Sequence, residues 1–127
     1  MTRYFLAFVG ITYLALALWC IARPGQTSDS VGLTLKPGSG QSEYMVVYGG
    51  MQVALGLLFL WPLRNPAIEP TVLISCVVLH GILVGFRTLS LSLFSGIQPV
   101  TYWLAGVEWS IFLGSLGCYI VFRKTGP

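Results

Sequence analysis

The sequence predicts an all-α membrane protein, an antiparallel bundle of four transmembrane helices. Three observations carry this. Hydrophobic residues make up 55% of the 127-residue chain and charged residues 9%, so seven basic and four acidic side chains are too few to cover a soluble domain. The apolar residues fall in long runs rather than amphipathic stripes. Each run comes close to the ~20 residues a helix needs to cross a hydrocarbon core of ~30 Å.

The first run, residues 4–22, lies between Arg3 and Arg23. A signal peptide can open in the same way. Here Arg23-Pro24 stands where a small-residue cleavage site belongs, and Trp19 before Cys20 does not suit lipoprotein processing, so the segment reads as a retained span. Residues 23–42 are polar and rich in Gly, Pro and Ser, with Pro24-Gly25 and Pro37-Gly38 as turn formers. They read as an extramembrane loop in which residues 31–35 are able to extend. The second run covers residues 44–63 and closes on Trp61-Pro62 and Arg64. After the Asn65-Pro66 turn a third run covers residues 71–94, with room to continue past Arg87. The fourth, residues 100–122, follows Gln98-Pro99 and stops before Arg123-Lys124. Arg3, Arg64, Arg123 and Lys124 fall on one side of such a bundle and Arg23 and Lys36 on the other, which places both termini in the cytoplasm.

The formal charge is +3 and the basic residues sit at segment ends, so nucleic-acid binding has no support. Cys20, Cys76 and Cys118 lie apart inside apolar runs and read as buried free thiols. His80 is the sole histidine, so a histidine-based metal or haem site would need unusual partners, and no cofactor is indicated. No phosphate-binding loop, nucleophile elbow or metal-ligand spacing is present, nor a carboxylate pair on one helix. A catalytic role therefore has little to stand on.

An ionisable side chain at membrane depth costs a few kcal/mol, so each needs a partner, water or a function. The candidates for a polar pocket are Glu43, Tyr44, Tyr48, Gln52, His80, Arg87 and Glu108. Tyr44, Tyr48 and Gln52 recur every four residues and share a helix face, as do His80 and Arg87 at a spacing of seven. Arg87 precedes the Gly96–Pro99 turn by about as many residues as Glu108 follows it. In an antiparallel hairpin rising ~1.5 Å per residue they reach similar depth and can pair. The costly polarity then gathers toward one leaflet, while Leu55–Leu60, Thr71–Leu79 and Ile111–Val121 leave the other half apolar. Either a buried ion pair that fixes helix packing or a pocket open to one side accounts for this pattern.

Glycines recur at Gly49, Gly50 and Gly56, at Gly81 and Gly85, and at Gly106, Gly114 and Gly117. Small residues four apart, such as Gly81 and Gly85 or Gly106, Ser110 and Gly114, are expected to let helix backbones approach closely in lipid.

Glu43, Tyr48-Gly49-Gly50 and Gly56, then Arg87, Ser90, Gly96 and Pro99, and finally Glu108 form an ordered set over nearly the whole chain. In this the sequence resembles the bacterial four-transmembrane-helix family known as domain of unknown function 4345. Met45 and Phe86 stand where members often carry a basic residue and a glycine. The resemblance implies a four-helix layout in a bacterial inner membrane and singles out Glu43, Arg87 and Glu108, but it implies no activity. Small DoxX-type four-helix proteins offer a distant analogy in which such bundles join larger redox complexes. Three functions stay open: binding of a small, lipid-like or quinone-like ligand or a proton in the polar pocket, an accessory role beside other membrane subunits or further copies of the chain, and a lipid-modifying isomerase using Glu108 or His80.

Overall fold

The computed structural model describes residues 1–125, and every regular element among them is helical. Helix α1 spans Thr2–Ala22 and the short α2 spans Pro24–Ser30. Helix α3 spans Ser39–Leu63. It is α-helical over Ser39–Tyr44, π-helical over Met45–Met51, α-helical over Gln52–Leu60, and ends in a 3₁₀ turn at Trp61–Leu63. Helix α4 spans Pro66–Leu93, opening with the 3₁₀ turn Pro66–Ile68. Helix α5 spans Pro99–Thr125. Helices α1, α3, α4 and α5 are each long and apolar enough to cross a bilayer, and the chain is a multi-pass membrane protein. Its outer surface agrees: Phe8, Ile11, Leu18, Val46, Leu57, Val78, Ile82, Phe86, Trp103 and Leu113 are each more than half exposed, which water would penalise and lipid tails do not.

Local chemistry sets the ends. Pro24 supplies no N–H to continue α1 and occupies the first turn of α2, where that N–H has no helical partner in any case. Asn65 caps α4 by accepting the Ala67 N–H at 3.2 Å. Gly96, at φ +73°, makes the turn between α4 and α5 that a side chain would oppose. Helix α4 runs straight through Arg87 to Leu93.

The contacts fix the topology. Ile21 lies against Gly49, Leu14 against Gly56 and Leu60 against Gly10, so α3 descends as α1 rises. Arg87 meets Glu108 and Gly81 meets Phe112, giving α4 and α5 the same opposed register. Helix α1 joins the two hairpins: Arg3 reaches Glu69, Tyr13 reaches His80 and Phe5 packs on Gly114. The chain ends and the Arg64-Asn65 turn therefore share one end of the bundle, with the 23–38 and 94–98 connections at the other. Near the chain ends the core is apolar, built from Leu6, Val9, Phe59, Val72, Leu73, Cys76 and Ile111.

Two expectations change. The polar stretch after α1 is not a plain loop but contains α2, whose buried Thr27 and Ser28 bond back to Arg23 and Gly25 carbonyls at 2.9 Å each. These local side-chain bonds give a polar segment the satisfied backbone it needs to lie on the bundle. The glycines divide as well. A Cβ on Gly49, Gly56, Gly81 or Gly114 would lie 2.7–3.1 Å from a neighbouring side chain, so these four do admit close packing. Gly50, Gly85, Gly106 and Gly117 have nothing within 4 Å of that position and do not pack against the bundle. The tightest backbone approach involves Gly10, whose Cβ would sit 2.8 Å from the Gly56 carbonyl oxygen.

Candidate functional site

Arg87 projects from α4 and Glu108 from α5 at one depth. Arg87 Nε donates to Glu108 Oε2 at 2.9 Å and Nη2 to Oε1 at 2.7 Å, a bidentate geometry that satisfies two donors and both carboxylate oxygens in one plane. The side chains are 28% and 17% exposed, so the pair lies at the edge of the interior rather than sealed within it.

The π-helical stretch positions the α3 side of this region. Tyr44 and Tyr48 stack with ring centroids 4.5 Å apart and planes inclined by 20°. The Tyr44 hydroxyl donates to Thr27 Oγ1 at 2.8 Å and approaches Cys20 Sγ at 3.6 Å, which ties α3 to α2 and α1 rather than to the ion pair. Gln52, one turn beyond Tyr48, has its Oε1 buried with no hydrogen-bond partner among the described residues. Glu43 is exposed at the end of the bundle that carries α2, and no bond links it to the others. The stretch Met45–Met51 packs mainly on α1, without comparable contact to α4 or α5. Single-turn π-bulges are common at functional sites, and this one extends over seven residues.

His80 lies two turns before Arg87 on α4. It is fully buried, and Nδ1 lies 2.9 Å from the Cys76 carbonyl oxygen and 3.5 Å from Cys76 Sγ. A carbonyl only accepts, so Nδ1 carries the hydrogen, and Nε2 of the neutral ring accepts from the Tyr13 hydroxyl at 3.2 Å. Tyr13, Phe59 and His80 form an aromatic layer with centroids 5.6–6.0 Å apart, dividing the apolar core from the ion pair. Sequence reasoning passed over Tyr13. Its signal was a phenol in the middle of an otherwise apolar span.

Of the seven candidates, then, Arg87 and Glu108 bond directly, Tyr48 stacks on Tyr44, Gln52 lies one turn further along α3, and His80 lies two turns before Arg87 on α4; the Tyr44 hydroxyl serves Thr27 and Glu43 is exposed. The charges of the ion pair cancel, while the carboxylate keeps lone pairs that can accept from a ligand. Two apolar grooves lie outside this cluster. One of about 420 Å³ runs between α3 and α4 past Leu55, Phe59, Ile74 and Ile82. Another of about 590 Å³ lies on the outer face of α4 and α5, past Gly81, Gly85, Thr88 and Trp109.

No curated protein and no solved structure matches the chain. The family described as domain of unknown function (DUF4345) matches residues 1–117, nearly the whole of the chain, and the protein belongs to that family.

Proposed function

We propose that this chain binds a small or lipid-like ligand in a one-sided polar cleft between its helices, in a bacterial inner membrane with both termini cytoplasmic. Tyr48, Gln52, Arg87 and Glu108 form the walls, and Tyr13 and His80 the floor. The observation that carries this is the unpaired buried acceptor of Gln52. Leaving such a group unsatisfied costs about 1–3 kcal/mol, a cost that packing alone gives no reason to keep. A donor supplied by a ligand removes it. The sparse contact of Met45–Met51 with α4 and α5 supports entry from that side. The test is purification in mild detergent followed by native mass spectrometry of bound lipids and quinones. Wild type should carry a small-molecule adduct that Glu108→Gln loses; a wild type with no adduct in any detergent would reject the cleft.

An accessory role is the second reading, favoured by Gly85 and Gly106, which face open space although small residues in membrane helices usually serve close packing. If a partner covers them, a second protein co-purifies stoichiometrically, and Gly85→Leu removes it while leaving the bundle intact.

A further inference from the structure

The ion pair leaves part of Arg87 without a partner. A guanidinium carries five N–H donors in a rigid planar fork. Pairing with Glu108 through Nε and Nη2 occupies one edge of that fork and two of the donors. The other three, two on Nη1 and one on Nη2, meet no acceptor among the described residues, and Nη1 is not sealed from outside as Gln52 Oε1 is. One N–H from each Nη points past the free end of the fork, where a single oxygen can accept both. Lipid surroundings make that end costly. Tyr102 and Trp103 on α5 are 56% and 79% exposed, the residue types and exposure of a membrane–water interface. Glu108 follows Trp103 in the same helix and lies ~7–8 Å deeper at a rise of ~1.5 Å per residue. Arginines near helix ends usually snorkel to the headgroups, but the two bonds to Glu108 hold this guanidinium at its partner's level.

Resting on the cleft proposed above, we infer that its ligand presents an uncharged carbonyl oxygen to the free end of the Arg87 fork, either the ester of a membrane lipid or the ketone of a lipid-soluble quinone. Charge selects the carbonyl. The Arg87–Glu108 pair is neutral as a whole, so a phosphate or carboxylate brings a net negative charge to membrane depth beside the Glu108 carboxylate. A carbonyl adds neither a charge nor a donor that needs a partner of its own.

The experiment records the infrared carbonyl band of isotope-labelled probes on the protein in nanodiscs of ether-linked phosphatidylcholine, which has no carbonyl of its own. One arm adds a decyl-substituted benzoquinone and the other a diester phosphatidylcholine, which separates the two sources. At least one probe should give a saturable band shifted to lower frequency on wild type, and decyl phosphate should not remove it. Arg87→Lys keeps a counter-charge for Glu108 but lacks the planar fork, so it should weaken binding about tenfold, the worth of one good hydrogen bond. Arg87→Met combined with Glu108→Leu removes the pair without stranding a charge and should abolish the shifted band; it decides the matter if the lysine variant fails to fold. The inference is overturned if neither band shifts on wild type, if Arg87→Lys binds like wild type, if the double variant keeps the shifted band, or if decyl phosphate displaces the probe. In each of these the cleft itself stands where wild type carries an adduct that Glu108→Gln loses; with neither probe nor adduct bound, the cleft fails too.

Discussion

Arg87 and Glu108, 21 residues apart in sequence, are joined by two parallel hydrogen bonds of 2.9 and 2.7 Å. A charge at the bilayer centre costs roughly 2.5–3.5 kcal/mol on insertion scales, and pairing is what makes both tolerable. Glu108→Gln leaves a permanently protonated guanidinium without its counter-charge. A fully buried pair broken this way costs about 3–5 kcal/mol; with Arg87 partly exposed, a loss of about 1–3 kcal/mol is expected. Combining Arg87→Met with Glu108→Leu should cost less than Glu108→Gln alone. Thermal unfolding in detergent, arranged as a double-mutant cycle, reads the coupling directly, and strictly additive changes would show that the two residues act independently.

The glycines give a second contrast. A Cβ on Gly56 would lie 2.7 Å from Leu14 Cγ and 3.0 Å from the Gly10 carbonyl oxygen, whereas one on Gly85 meets nothing within 4 Å. Gly56→Leu must push α1 and α3 apart and should cost at least the ~1–3 kcal/mol typical of overpacking. Gly85→Leu should stay within about 0.5 kcal/mol of wild type. Equal melting temperatures for the two variants would contradict the assigned helix contacts.

Four spans, the depth match of Arg87 with Glu108 and the gathering of polarity in one half were legible because run length and helical rise convert sequence distance into depth. Which way a side chain turns about its helix was not. Tyr44 and Tyr48 share a face by their spacing and stack on each other, yet the Tyr44 hydroxyl is spent on Thr27 and not on the ion pair. The difference arises where α-helix gives way to π-helix, and no single residue signals that change. Gly85 and Gly56 look alike in sequence for the same reason: composition supplies small residues, and only the bundle decides which of them meet a neighbour. Tyr13 was hidden because an isolated tyrosine in an apolar span is unremarkable until His80 lies opposite.

The alternating register predicts that the Arg23–Gly38 connection and the Arg64-Asn65 turn lie on opposite sides of the membrane. Single cysteines introduced at Gln26 and at Arg64, both exposed, should be labelled by an impermeant maleimide from opposite faces of sealed vesicles. Labelling at Arg64 from the cytoplasmic face follows from the excess of basic residues at that end. Both positions reacting from one face would exclude the bundle topology.

The Tyr13 hydroxyl and His80 Nε2, 3.2 Å apart, connect α1 to α4 where the core turns from apolar to polar. Because Nδ1–H is committed to the Cys76 carbonyl, Nε2 depends on Tyr13 as its donor. Tyr13→Phe keeps the ring against Phe59 and removes only the donor, so a fully buried acceptor loses its partner at a cost of about 1–3 kcal/mol. Adding His80→Phe to Tyr13→Phe removes the orphaned nitrogen and should recover part of that loss, since deleting both members of a buried pair is cheaper than deleting one. Nitrogen NMR of wild type in detergent should find His80 neutral with the hydrogen on Nδ1. A wild-type ring found with its hydrogen on Nε2 would overturn the assigned bond from Tyr13 to His80.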